Sequence, residues 1–238
     1  MCSWPASGLT DATGTLSPMM WKAVLIDLYD TLVWTEWSGL RDLLSARLGV
    51  DRASLLRAFE VTRRARSIGA YPDATSDIAA ILAALDIHDD RTVADVVRIQ
   101  HDFFASAERI HLHEDSIPTV RTLRAGGAKT AIVSNCSHPT RTEVRALGLE
   151  EEFDAILLSF EVKAMKPDPA IYVAALDAVG VAAADAVFVD DQAGYCDGAR
   201  DLGIDTRLIV RPGSDPTEGF AADPNGHHVI EDLTALLD

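Results

Sequence analysis

Apolar residues in this chain follow two rhythms. Short unbroken runs have the length and composition of strands buried on both faces: AVLI at 23–26, and the cores of KTAIVSN (129–135), FDAILLS (153–159), DAVFVDD (185–191) and DTRLIV (205–210). Between them the spacing changes to three and four, which predicts helices over Ser116–Gly126, His138–Gly148, Asp168–Gly180 and the GYCDGARDLG stretch (194–203). Pro167 and Pro169 stand near the first turn of the third of these, where a missing N–H does no harm. HHVI (227–230) reads as a last short strand and EDLTALLD (231–238) as a terminal helix. Strand and helix in alternation predict an α/β fold, a doubly wound parallel sheet with helices on both faces.

One stretch breaks the alternation. After the first strand, Leu32–Glu36 reads as a short connection, and from Trp37 to about Ala107 only helical spacing is present. WSGLRDLLSARLG (37–49) stops at a glycine, and DRASLLRAFEVTRRARS (51–67) follows as a second amphipathic helix. TSDIAAILAALD (75–86), opened by Thr75 or Ser76, is a third, and RTVADVVRIQHDFFASA (91–107) a fourth. A helical insertion between the first strand and the rest of the sheet follows. The expected division is a flexible leader over 1–20, an α/β core over 21–34 and 116–238, and a helical domain over 35–115. Met19 or Met20 is a possible start residue, and Pro212–Gly226 reads as a surface loop.

Composition narrows the class. A hydrophobic fraction of 48% in 238 residues supports a sizeable interior. A net charge of −16 argues against nucleic acid or an anionic membrane surface as partner, while a local cationic pocket for the phosphate or carboxylate of a small-molecule substrate stays open. Cys2, Cys136 and Cys196 are too few for a disulfide framework and lack zinc spacing, which fits a reducing, cytoplasmic setting. Nothing approaches a membrane span, and the composition leaves monomer and homodimer open.

Chemistry gathers at the strand ends. The first run stops at Asp27, in AVLIDLYDT; IVSN closes on Ser134 and Asn135; Lys166 lies in KAMKPDPAIY; VFVDD closes on Asp190 and Asp191. In a parallel sheet these C-terminal ends share one edge, where open α/β sheets bind ligands. Asp27 there can act as a nucleophile or hold a cation. Asp27 and Asp190 offer hard oxygens to Mg²⁺, with the Tyr29 carbonyl as a backbone ligand. Thr31, Ser134 and Asn135 can donate to anionic oxygens, and Lys166 can neutralise both nucleophile and transition state. Asp191 has three readings: a metal ligand through water, a partner that orients Lys166, or a helix N-cap.

These four stretches, in this order, resemble the motifs of the haloacid dehalogenase-like (HAD) hydrolase superfamily over residues 22 to about 210. The resemblance implies a Rossmann-like HAD core, a nucleophilic Asp27 and a helical cap over 35–115 that closes on the site and selects the substrate. The match breaks at Tyr29, where phosphatases of the superfamily carry the aspartate that protonates the leaving oxygen. Tyrosine is what its 2-haloacid dehalogenases have, and Arg57 stands at about the spacing of the arginine those enzymes use near the halide. Asp190 and Asp191 match the magnesium-dependent phosphatases instead. The expectation is a Mg²⁺-dependent phosphatase of small phosphorylated metabolites acting through an aspartyl-phosphate on Asp27. The alternatives are a 2-haloacid dehalogenase or a phosphate- and metal-binding module without turnover.

Other residues carry plainer expectations. Asp30 fixes the turn, and Lys163 competes with Lys166 for the site, with Pro167 and Asp168 favouring Lys166. Cys136 and Cys196 are small buried residues, and His138 starts a helix, with substrate contact as its second reading. His111 and His113 belong to a linker rather than a metal pair. His227 and His228 face solvent, and Phe59, Phe103, Phe104 and Tyr71 mostly fill the helical insertion, with one or two of them candidates to line the substrate pocket.

Overall fold

The computed structural model describes residues 20–105, 109–212 and 226–237. The leader through residue 19, Cys2 and nearly all of the Pro212–Gly226 loop lie outside the described residues. Six strands form one parallel sheet in the order β5 (Ala155–Leu158), β4 (Lys129–Ser134), β1 (Ala23–Ile26), β6 (Ala186–Asp190), β7 (Asp205–Ile209) and β8 (His228–Ile230). β1 is central, and its four residues have no solvent exposure. The period of two divides them: Val24 and Ile26 join the apolar layer that includes Val120, Leu123 and Val144, while Ala23 and Leu25 join the layer around Tyr172, Ala175 and Phe188. The first layer is roofed by α5 (Ser116–Ala125), α6 (Thr140–Ala146) and α7 (Leu149–Glu152), the second by α9 (Pro169–Val179) and α10 (Ala193–Arg200). This is the expected doubly wound arrangement. α8 (Ser159–Val162) links β5 to the Lys166 loop.

The region read as helical folds into α1 (Trp37–Leu48), α2 (Arg52–Ser67), α3 (Ala74–Ala83) and α4 (Asp90–Phe104). α1 ends on Gly49 at φ 67°, the left-handed conformation that glycine adopts without strain. Asp51, Asp73 and Asp89 N-cap the other three helices, each accepting from the backbone N–H three residues on. The third helix therefore starts before Thr75, on an Asx cap. Leu40, Leu44, Leu55, Ile78, Leu82 and Val96 build an apolar cluster separate from both faces of the sheet.

Three expectations are corrected. The Leu32–Glu36 connection and the linker at 110–112 are strands, β2 (Val33–Thr35) and β3 (Ile110–Leu112), paired antiparallel at the base of the helical insertion. Each is three residues long, too short for an alternation to be visible. The terminal helix is a single 3₁₀ turn, Leu233–Leu236, capped by Asp232. His227 is buried, its ring nitrogens within 3.2 Å of Thr206 Oγ1 and Asp197 Oδ1, whereas His228 is exposed as expected. His111 is exposed and stacks on Trp34, while His113 is half-buried with its backbone N–H on Leu32 O, so the two do not form a metal pair.

Candidate active site

The turn after β1 sets the site. Leu32 and Val33 both donate backbone N–H groups to Leu28 O, and Asp30 donates to Val33 O at a φ of 57°. The chain thus doubles back immediately beyond Asp27, so the Asp27 carboxylate is left at the C-terminal edge of the sheet. Asp30 takes the turn role expected of it. β6, paired directly with β1, ends level with it on Asp190. The adjacency of the two carboxylates is therefore a matter of strand register.

Lys166 closes the group. Its ammonium donates to Asp27 Oδ1 at 2.5 Å and to Asp190 Oδ2 at 2.6 Å, and the side chain is 1% exposed. It also lies over the rings of Phe188 and Tyr195 at 5.4 and 5.1 Å. Asn135 fixes the lysine's backbone from both sides: its Oδ1 accepts from Lys166 N at 2.7 Å and its Nδ2 donates to Lys166 O at 2.9 Å. The amide expected to meet substrate thus has much of its capacity engaged in holding Lys166. Gly198 makes room for the same loop, since a Cβ there would stand 2.8 Å from Pro167 Cβ. Lys163, the neighbouring lysine, is exposed and donates to Gly69 O of the insertion.

Asp27, Asp190 and Asp191 place oxygens within 4.8 Å of one another, all three buried. Three carboxylates against one ammonium leave excess negative charge in a dry space. Burial first, and then the charges of Asp190 and Asp27, push the Asp191 carboxyl up to about 10. Burial likewise raises Asp27 to about 7, against the pull of Lys166 and with the push of Asp190. Burial alone would lower Lys166, but Asp190 and Asp27 outweigh it and hold the ammonium charged. Asp191 Oδ2 is buried without a hydrogen-bond partner. It does not cap α10, whose N-cap is Gln192 without a side-chain bond, while Asp190 Oδ1 accepts from Gln192 N. An orphaned carboxylate oxygen in a cluster of hard donors with surplus negative charge fits a small divalent cation such as Mg²⁺.

Thr31 and Ser134 also lie at this edge, both fully buried with unpartnered hydroxyls. Two arginine contacts, from Arg211 Nε and Nη2, hold the Thr31 carbonyl. Cys136 and Cys196 are buried free thiols, as expected, and burial pushes Cys136 up to about 12.

Tyr29 is differently engaged. Its hydroxyl donates to Glu143 Oε2 at 2.5 Å and lies 2.8 Å from Thr140 Oγ1. Burial, then the Glu143 charge, raise the phenol well above its ordinary value, and burial raises Glu143 too. The Tyr29 ring meets Trp37 edge-on, and Trp37 meets Phe104. Glu143 and Phe104 line a cavity of about 410 Å³ between α3, α4 and α6. Glu143 was not among the residues singled out above; the only signal was a carboxylate one turn from Thr140 on the helix that follows IVSN.

Arg57 does not join the site. On a 3.6-residue period it falls opposite the Leu55–Ala58–Thr62 face of α2, where it is exposed and donates to Ser54 Oγ. The α2 arginine that reaches the core is Arg63, which donates to Tyr195 OH at 2.7 Å.

The fold and this edge define a hydrolase of the α/β type with an inserted helical unit. The sequence profile of the haloacid dehalogenase-like hydrolases matches residues 21–203, and the chain belongs to that family. Phosphatase MT3486 of Mycobacterium tuberculosis (strain CDC 1551 / Oshkosh) is 30% identical over 60% of this chain and 62% of its own length. (S)-2-haloacid dehalogenase 4A of Burkholderia cepacia is 26% identical over 91% of this chain and 94% of its own. Among solved structures, a 2-haloacid dehalogenase from Pseudomonas syringae pv. Tomato DC3000 superposes with a TM-score of 0.66 at 24% identity, over 91% of this chain and 96% of that one. A HAD phosphatase from Thermococcus onnurineus gives 0.61 at 24%, over 90% and 95%.

Proposed function

We propose that this hydrolase is a Mg²⁺-dependent phosphatase of small phosphorylated metabolites, with Asp27 as nucleophile. The observation that carries the reading is the buried group of Asp27, Asp190 and Asp191 around Lys166, with Asp191 Oδ2 lacking a partner. Asp27, Asp190, Asp191 and the Tyr29 carbonyl would hold the cation, and when bound Mg²⁺ would neutralise the carboxylates and orient phosphoryl oxygens. Asp27 attacks phosphorus, the P–O bond to the leaving group breaks, and an aspartyl-phosphate forms. Lys166 balances charge on the nucleophile and on the phosphoryl group. Thr31 and Ser134 donate to phosphoryl oxygens, and Asn135 holds Lys166 in place. The helical domain over 35–115 acts as the cap that excludes water and selects the substrate. The acidic chain charge fits a small metabolite rather than nucleic acid or a membrane surface, and the unpaired cysteines fit a cytoplasmic setting; no helix among the described residues is long and apolar enough to cross a membrane.

Leaving-group chemistry sharpens the substrate class. The position of the usual proton donor holds Tyr29, whose proton is directed at Glu143. Substrates whose leaving groups depart without a proton are therefore favoured, such as acyl phosphates and anhydrides. Acetyl phosphate should be hydrolysed with Mg²⁺, glycerol phosphate about a hundred-fold more slowly, and neither by Asp27→Asn or after chelation. Fast turnover of simple sugar phosphates would contradict this reading.

The same tyrosine favours a second reading, a 2-haloacid dehalogenase, since halide also leaves without a proton. Chloride release from 2-chloropropionate without added metal would establish it. Binding of Mg²⁺ and phosphate with no burst from any activated substrate would instead mark a module without turnover.

A further inference from the structure

The cavity lined by Glu143 is a second place in the molecule with the dimensions of a ligand site. Its volume of about 410 Å³ falls within the range of about 300–1,000 Å³ usual for small molecules. α3 and α4 of the insertion form one wall, and α6 of the core forms the other. None of Asp27, Ser134, Lys166 or Asp190 lines it, so it is separate from the carboxylate cluster. The two walls are joined next to the cavity. His138, one residue before the lining residue Pro139, has its Nδ1 2.8 Å from Asp77 Oδ2 of α3. Trp37 of α1 adds a second tie, with its ring against both Phe104 of α4 and Tyr29 of the core.

The lining is mostly apolar and includes Val97, Phe104, Pro139 and Ala146. One buried acid stands among them. Glu143 is 7% exposed, and the Tyr29 hydroxyl occupies only its Oε2. Oε1 makes no hydrogen bond to any described residue. Burial raises this carboxyl, and Tyr29 is the one group set against that effect, with no lysine or arginine beside it. Buried carboxylates are ordinarily paired with a cation or hydrogen-bonded through both oxygens. Glu143 has one neutral donor and no cation. A ligand that brings a cation with N–H groups into this apolar space completes the set. Phe104 supplies an aromatic wall of the kind a cation favours. A carboxylate or phosphate group would meet an acceptor instead, and is disfavoured. The other polar lining residues are Gln100, His101 and Thr142, of which the last two are exposed.

We propose that this cavity binds a small apolar primary amine, with the ammonium on Glu143 Oε1 and the hydrocarbon part against Val97, Phe104 and Ala146. The site stands apart from the choice between phosphate and halide chemistry, because it uses no residue of the carboxylate cluster. Its walls belong to different parts of the fold, so an occupant ties the insertion to the core. It also shares Glu143 with Tyr29, the residue at the position of the usual proton donor.

Titration calorimetry of the full chain in saturating Mg²⁺ tests the site, with hexylamine, hexanol and hexanoate as probes of one length. Hexylamine should bind about ten- to a hundred-fold more tightly than hexanol, the worth of a hydrogen bond to a charged group, and hexanoate should not bind. Glu143→Gln should erase the advantage of the amine and leave hexanol binding unchanged. Ala146→Trp, which fills the cavity from an exposed helix position, should abolish binding of both. Asp27→Asn should bind hexylamine as the wild type does. Hexylamine should also slow amide hydrogen exchange in α4 and α6. Absence of hexylamine binding, equal affinity for amine and alcohol, or undiminished amine binding in either cavity variant overturns the proposal. Loss of amine binding in Asp27→Asn places the amine at the carboxylate cluster and overturns it too. Should Glu143→Gln not fold, Ala146→Trp and the preference for amine over alcohol decide: loss of binding with a preference of ten-fold or more supports the site, and failure of either overturns it.

Discussion

The sheet edge and the helical insertion handle charge in opposite ways. At the edge, Lys166, Asp27 and Asp190 form ion pairs with side chains 1%, 9% and 0% exposed. In the insertion, Arg98 pairs with Asp95 at 64% and 19% exposure, and Arg47 pairs with the same carboxylate at 48%. The same residue types thus play different parts. Water and salt screen the insertion's pairs, which leaves its folding to the apolar cluster of Leu44, Leu55, Ile78 and Leu82. The edge has no such screen, so each buried charge there depends on the others. The buried edge accepts that dependence, while the insertion's exposed pairs avoid it.

Breaking the edge should have the largest effect. Lys166→Met leaves Asp27 and Asp190 buried together without their cation. The expected outcome is a loss of about 3–5 kcal/mol in urea denaturation and of about a hundred- to a thousand-fold in acetyl phosphate turnover. Mg²⁺ should restore part of the stability and little of the rate, because a cation can replace the counter-charge but not the donor geometry. In the insertion, Leu55→Ala should lose about 2–5 kcal/mol, with faster amide hydrogen exchange concentrated in residues 37–104. Equal loss of protection in β1 and β6 would show that the two regions unfold as one unit.

A third, intermediate effect lies at the far side of the turn. Burial would raise the Asp115 carboxyl, but Arg211 and the Leu233 N–H outweigh it and hold it below its ordinary value of 3.8. A carboxyl depressed in the folded state adds stability above its unfolded value, and that addition is lost as pH falls through the folded value. Wild type should therefore exceed Asp115→Asn in melting temperature at pH 6, with the difference shrinking below about pH 4. The smallest effect is expected from Arg98→Ala, whose melting curve should overlay the wild type at moderate salt.

What was legible beforehand follows the same divide. Strands β1, β4 and β6 showed as apolar runs because both of their faces are covered, and the residues that end them converge because parallel register aligns their C-termini. The four helices of the insertion were visible from periodicity alone. Contacts between separate pieces of chain were not. His227 looked like a surface residue until Thr206 and Asp197 closed around it. Arg57 matched by spacing from Asp27, yet the rotation of α2 turns it to solvent and presents Arg63 instead. Nothing in the chain links Asp77 to His138, or Tyr29 to Glu143, because each pair spans a large sequence separation and is made by packing.

The Tyr29–Glu143 contact also bears on how the chemistry at this edge could be redirected. Placing an aspartate at position 29 alone would remove the donor that Glu143 leans on and, being the shorter side chain, would leave that buried carboxyl without its partner. Exchange at 29 is therefore expected to call for a matching exchange at 143. The two side chains are thus a coupled pair, and exchange at one position changes the surroundings of the other.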